Sequence, residues 1–435
     1  MTPEVKERIE QIRHGNVPEG YKKTKVGIVP ADWTEYTIGE CLERVERPVD
    51  VQADEMYTQI GIRSHGKGLF YKEPVTGESL GNKAVYWVEP DCFVLNIVFA
   101  WEQAISKTTQ NEVGMIGSHR FPMYRPIDGR VDVDYLITYM LTKRGKDILE
   151  AASPGGAGRN RTLGQDRFMK SKIILPSVEE QRRIAETLTA QNKTIELKEK
   201  LLAEKQRQKK YLMQQLLTGR KRLPGFSGQW EQLPFAEVFT FLPTNTLSRD
   251  CMSETAGAIL NIHYGDILVK YSEILDADKT PIPFIKHGSE PSNIAYVRNG
   301  DVIIADTAED LSAGKAVEVQ NTSNKLIVSG LHTMFCRPNH EMFATGWLGY
   351  YINSTVFHNQ LIPLICGVKV SSISKKEIVK TFIAVPSVEE QQAIVGRLLI
   401  ADREMNLLCQ DIEQEKQKKK ALMQLLLTGI VRVNV

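Results

Sequence analysis

Pro176-Ser177-Val178-Glu179-Glu180-Gln181 recurs 210 positions later as Pro386-Ser387-Val388-Glu389-Glu390-Gln391. Leu212-Met213-Gln214 with Leu216-Leu217-Thr218-Gly219 recurs at the same offset as Leu422-Met423-Gln424 with Leu426-Leu427-Thr428-Gly429. The shared offset leaves no insertion or deletion between the two motifs, although the residues between them share almost no identities. Constant length with free sequence is what a spacer of fixed length requires. The chain therefore reads as two related heads held at a set distance.

The repeated segments predict long helices. From Ser177 to Leu217 there is no Gly or Pro, and most residues are strong helix formers. Ser177 and Glu180 form the sequence pattern of a capping box, and Gly219 stands where a C-terminal cap belongs. The second copy repeats these signals with Ser387, Glu390 and Gly429; its interior Gly396 is a weak point costing roughly 1 kcal/mol against Ala. At ~1.5 Å per residue each helix spans about 60 Å. One stripe reads Ile184, Leu188, Gln191, Ile195, Lys198, Leu202, Lys205, Lys209, Leu212, Leu216. The other reads Ile394, Leu398, Ala401, Met405, Leu408, Ile412, Glu415, Lys419, Leu422, Leu426. Spacings of four and three alternate in both, the pattern of a coiled-coil seam. Antiparallel pairing is expected, because it relates two copies in one chain by a pseudo-two-fold axis.

The fold class expected is α+β: two similar α/β domains joined by two long helices in an antiparallel coiled coil. The boundaries are an N-terminal arm at 1–25, a first head at 26–175, a spacer helix at 176–222, a second head at 223–385 and a second spacer helix at 386–435. Each head opens on a tryptophan (Trp33, Trp230), read as a core anchor, and carries short β-rich runs such as 92–98 and 301–306. A helical stretch follows in each, at 135–152 and at 347–361. Ile9, Ile12 and Gly15 echo Met213, Leu216 and Gly219, so the arm resembles the tail of a spacer helix. It is expected to pack near the end of the second spacer; a short free helix is the other reading.

A length of 435 residues with 42% hydrophobic and 25% charged residues is ordinary for a water-soluble multidomain protein. With a formal net charge of +2, nucleic-acid binding would need a local basic face. No apolar run approaches the ~20 residues of a membrane helix. The charged N-terminus lacks the apolar core of a secretory signal, and the six cysteines are scattered without a C-x-x-C pair. A cytoplasmic protein with reduced thiols and no metal site is expected.

No catalytic motif emerges. Gly61 to Gly68 approaches a phosphate-binding loop, but Gly68 replaces the Ser or Thr that would ligate Mg²⁺. Dinucleotide-binding, zinc-protease and nucleophile-elbow motifs are absent, as is the Asn/Asp-Pro-Pro-Tyr/Phe motif of amino-methyltransferases.

Two variable segments, each followed by a P-S-x-E-E-Q helix that ends L-M-Q-x-L-L-T-G, resemble the specificity subunit of a Type I restriction–modification enzyme over essentially the whole chain. The resemblance implies a non-catalytic subunit whose two target recognition domains each read half of a split site in double-stranded DNA. It further implies a coiled coil that sets the gap and docks two methyltransferase subunits, with restriction subunits joining them. S-adenosylmethionine, ATP and Mg²⁺ would belong to those partners and no cofactor to this chain. The rival reading is a coiled-coil scaffold with protein-binding heads.

Base readout requires Arg, Lys, Asn, Gln, Ser or Thr on loops that can enter a groove. The candidates in the first head are Arg63, His65 and Lys67 in one Gly-flanked loop and Arg159, Asn160 and Arg161 in another. In the second head they are Lys286, His287, Lys369, Ser371, Lys375 and Lys376. Solvated surface charge is the bland reading for each. The basic run from Arg207 to Arg222 and the run at 416–420 are read first as charges complementing helix C-termini.

Overall fold

The computed structural model describes residues 2–433, apart from 82, 156–160, 293, 340, 368 and 369. The chain divides into two compact units, 1–197 with 412–435, and 198–411. Both divisions fall inside long helices, Val178–Leu216 and Val388–Leu427. A unit is thus one head plus part of each helix, where the sequence reading had drawn boundaries at the helix ends.

In the first unit a four-stranded antiparallel sheet runs in the order 105–107, 93–95, 123–126, 42–45. The entering strand Thr34–Thr37 pairs antiparallel with the leaving strand Lys172–Leu175. In the second unit the corresponding strands Glu231–Pro234 and Phe382–Val385 pair in the same way. A short helix then leads into the sheet in each copy, Ile38–Cys41 and Phe235–Val238. The second sheet is larger, in the order 239–242, 333–338, 302–305, 316–320, 274–276, and its last pair is parallel. The helical stretch expected in each head is two helices, Val133–Met140 with Lys143–Ala151, and Trp347–Ile352 with Thr355–Leu361. The break occurs where Thr142 and Ser354 accept a backbone N–H from Gly145 and Phe357, which starts a new helix.

Every residue of both stripes is buried or half-buried. In the first unit Ile184, Leu188 and Leu426 join the head core around Phe168 and Tyr135, Ile195 and Ile412 are buried as well, and Gln191 Nε2 donates to Glu415 Oε2 at 2.5 Å. In the second, Leu216, Ile394 and Leu398 join a core around Trp347 and Phe357. There Lys198 pairs with Asp411, Lys205 with Glu404 and Lys209 with Asp402. Partner numbers fall as the first numbers rise, so the helices run antiparallel within this unit. Leu202, Leu212 and Met405 are half-buried there, as Leu422 is in the first unit.

The repeated hexapeptide has a defined task at each position. Ser177 and Ser387 accept the backbone N–H of Glu180 and Glu390. Gln181 donates to the Arg130 and Pro176 carbonyls and accepts from Asp132 N; Gln391 does the same with Met342, Pro386 and Ala344 N. The second glutamate is the group that the capping-box reading misassigned. Glu180, 1% exposed, receives a two-pronged contact from Arg432, and Glu390, 2% exposed, receives one from Arg222. Each arginine lies three residues beyond a helix-ending glycine, Gly429 (φ 72°) or Gly219 (φ 67°). A Cβ on Gly429 would come within 2.4 Å of Pro30 and 3.0 Å of Trp33, so the tryptophan at the head's entrance sits on the helix end. Trp230 is half-buried and donates Nε1–H to Glu390.

The N-terminal helix Pro3–Arg13 lies against the end of the second long helix. Arg8 donates to the Ile430 carbonyl at 2.7 Å, and Tyr21 Oη donates to that of Gly429 at 2.7 Å. Arg432 also grips Asp32, whose carboxyl is held below its ordinary range chiefly by that hydrogen bond. A depressed folded pKa contributes stability above the unfolded value of about 3.9, and that stability is lost as pH falls through the folded value. The melting temperature of the wild type is therefore expected to exceed that of Asp32→Asn at pH 6. The two should converge below about pH 4, as a calorimetric pH series would show.

Candidate functional site

In the first head the loop 63–68 closes the hairpin between Ile60–Ile62 and Leu69–Tyr71. No helix follows it, so this is a turn and not a phosphate cradle. Arg63 folds back, donating to the Leu69 carbonyl and lying 5.2 Å over the Phe70 ring. His65 (φ 60°) and Gly66 (φ 62°) take left-handed backbone, and their N–H groups donate to the Glu102 and Gln103 carbonyls at 2.8 and 2.9 Å. Gly66 is required there, because a Cβ would fall 2.5 Å from the Leu141 side chain. Ser64 Oγ adds a bond to Glu102 Oε2, and Gln103 Nε2 donates to the Met140 carbonyl. Lys67 is exposed.

Arg161 lies 5.4 Å over the Trp101 ring, one residue before Glu102. Both basic loops chosen from sequence are therefore fastened to one turn, residues 97–103. Arg159 and Asn160 fall outside the described residues. A third loop joins them: Ile97 N–H donates to the Arg120 carbonyl, and Leu163 N–H donates to the Ile97 carbonyl. Phe99, Trp101 and Arg120 were missed by the sequence reading. The result is an aromatic turn that carries Arg161 on Trp101 and is bonded through the backbone to the loops of His65 and Arg120, suited to anionic or π-faced ligands.

The second head repeats two backbone bonds of this junction. Asp306 N–H donates to the His332 carbonyl, and Ile373 N–H to that of Asp306. Thus Asp306 stands where Ile97 does, His332 where Arg120 does, and Ile373 where Leu163 does, the last pair at the offset of 210. Ser371, nearly buried, and Ser372 pair in a short ladder with Ala308 and Thr307. His332 Nδ1 approaches Thr307 Oγ1 at 3.4 Å, and its ring meets Tyr264 edge-on beside His263, whose burial lowers its pKa.

Other second-head candidates are spread apart. Lys369 lies outside the described residues. Lys375 rests 5.1 Å over Phe241, and Lys376 is exposed on the same short helix. Lys286 donates to the Asp250 carbonyl, and His287 contacts Glu290. Phe284 opposes Leu260 antiparallel, so 286–287 lie at the far end of that sheet from His263. They do not belong to the 306–332–373 junction. Of the basic runs, Arg222 and Lys209 are occupied by Glu390, Glu273 and Asp402, Arg207 by Glu204, and Lys418 by Glu415. Among the described residues no three His, Cys, Asp or Glu side chains could hold a metal ion, and no helix is long and apolar enough to cross a membrane.

Residues 30–206 match the family model described as the Type I restriction modification DNA specificity domain. Over 95% of its length the chain is 22% identical to the putative type I restriction enzyme MjaX specificity subunit of Methanocaldococcus jannaschii, covering 97% of that protein. The MjaVIII specificity subunit of the same organism is also 22% identical, with 95% and 96% covered. The HsdS subunit from Thermoanaerobacter tengcongensis shares the fold at TM-score 0.51 and 20% identity, over 93% of this chain and 98% of that one. A chain from a study of complex assembly and conformational transition in the type I R-M system does so at TM-score 0.60 and 20% identity, over 93% and 99%. The family model over residues 30–206, the full-length relatives and the shared fold all make this chain similar to the specificity subunits of Type I restriction–modification systems.

Proposed function

We propose that each head reads one half of a bipartite DNA site and that the two long helices form an antiparallel coiled coil setting the gap between halves. The observation that carries the reading is the duplicated junction: one loop cluster per head, sharing two backbone bonds, with different side chains around it. Shared scaffolding with unlike rims suits two unlike half-sites.

The coil docks two methyltransferase subunits in this reading, and restriction subunits join them. In the second unit Leu201, Tyr211, Ile400 and Leu407 are 48–62% exposed, and Tyr211 also lines a groove of about 530 Å³ whose apolar floor, with Leu212 and Ala401, is edged by charged side chains such as Glu204, Arg207 and Glu404. An apolar surface of that kind suits a partner helix. The chain itself is non-catalytic, with S-adenosylmethionine, ATP and Mg²⁺ carried by partners.

Co-expression with the neighbouring methyltransferase subunit, followed by single-molecule mapping of methylated adenines, tests the proposal. Two short half-sites at one fixed gap are expected. A soluble, assembled complex that leaves no motif would favour the scaffold reading instead. Trp101→Ala or Arg161→Ala should reduce methylation by about 10- to 100-fold, the range for losing one good base contact. Relaxed sequence demand should appear in one half-site only, as the same mapping would reveal.

A further inference from the structure

Lys209 is the most heavily committed charge in the second unit. Its Nζ lies 3.0 Å from both Glu273 carboxylate oxygens, 2.6 Å from Asp402 Oδ1 and 5.4 Å from the centre of the Tyr350 ring. Tyr350 Oη donates to Asp402 Oδ2 at 2.5 Å. Lys209 is 11% exposed, and both carboxylates are 19% exposed. The cluster draws on three places: Lys209 from the first long helix, Asp402 from the second, Glu273 and Tyr350 from the head. One ammonium therefore ties the head to both helices.

A second tie lies at the start of the second long helix, where Gln391 clamps Met342 and Ala344 and Glu390 holds Arg222 and Trp230. Residues 391 and 402 are separated by about 17 Å along the helix. A head held at one point can rock; a head held at two points has its tilt defined. The first copy has the helix-start tie, through Gln181 and the Glu180–Arg432 contact. Among the described residues it shows no equivalent of the second. Lys419 stands at the position of Lys209, but Asn192 replaces Asp402, and among the described residues Lys419 has no ion-pair partner.

We propose that Lys209 is a positioning residue: by tying the second head to both helices it fixes that head's tilt, and so the gap at which its half-site is accepted. This rests on the bipartite reading above. Shifting the gap by one base pair moves a half-site by ~3.4 Å and rotates it by ~35°, so tilt and gap selectivity are coupled.

The test uses the full chain with its methyltransferase partner and a plasmid library in which the wild-type half-sites are separated by every gap from several base pairs too short to several too long. Wild type should methylate one gap. Lys209→Met and Asp402→Asn, the latter supplying the residue type of the first copy while keeping a partner for Tyr350, should leave both half-sites unchanged. Methylation one base pair off the correct gap should rise about tenfold relative to the correct one, and Lys209→Arg should restore selectivity. An unchanged gap profile in Lys209→Met and Asp402→Asn, even with a lower melting temperature, would reduce the cluster to a stability device and overturn the proposal. If only one variant assembles, its profile decides. No bipartite motif from the wild-type chain would instead sink the recognition reading, and this inference with it.

Discussion

Adding one heptad to each long helix, between Lys198 and Lys205 in the first and between Glu404 and Asp411 in the second, is expected to lengthen the recognised gap by about three base pairs. Seven helical residues add ~10.5 Å, and B-DNA rises ~3.4 Å per base pair. Both insertions are needed because Lys198 pairs with Asp411 and Lys205 with Glu404 across an antiparallel interface. A heptad keeps each stripe in phase, so the residues that pack under the heads stay where they are. The half-sites should not change. Methylation mapping of the doubly extended chain checks this; an unaltered gap would show that the helices do not set it. A four-residue insertion in one helix alone should instead lower assembly yield, since it rotates the stripe out of register.

The second large effect is expected from Arg432→Ala. The substitution strips the partner from Glu180, a carboxylate 1% exposed. Breaking a buried pair costs about 3–5 kcal/mol. Arg432 is itself 37% exposed, which moves the expectation to about 2–3 kcal/mol, or a melting temperature lower by roughly 5–10 °C for a unit of this size. Arg222→Ala should act on the second unit in the same way through Glu390. Pairing Arg432→Ala with Glu180→Gln should recover much of the loss, because a neutral amide tolerates burial where a lone carboxylate does not. Scanning calorimetry of single and double variants decides the matter; equal melting temperatures for wild type and Arg432→Ala would mean that the contact contributes nothing.

The long helices were readable because a stripe of unbroken four-three spacing, apolar at both ends, a serine cap and a terminal glycine all report on local backbone, and the copies report it twice. The ties between motifs were not. Arg432 and Glu180 are 252 positions apart, and nothing in either neighbourhood announces the other. Each residue of the hexapeptide could be read as helix-start chemistry, yet Glu180 is used for closure of the unit. The candidate site divides along the same line. Loops rich in Gly, Arg and Lys stand out by composition, which is why residues 63–67 and Arg161 are candidates from the sequence alone. Trp101 and Arg120 lie beside ordinary strands and gain significance only where the 97–103 turn crosses the other two loops. Lys286 and His287 looked equivalent by composition, and antiparallel pairing carries them to the opposite end of their sheet. The offset of 210 links Leu163 with Ile373 and was the one sequence signal pointing to the paired junctions.

In each head the strand that follows the opening tryptophan is the hydrogen-bonded neighbour of the last strand, 34–37 with 172–175 and 231–234 with 382–385. A head is therefore a plug on a two-pronged connector, and in the second head repeated stretches flank that connector, 212–219 before it and 386–391 after it. Homologous recombination begins in such stretches. An exchange with both crossovers there would replace a whole head without disturbing either long helix. On the bipartite reading proposed above, such an exchange would change one half-site in a single event.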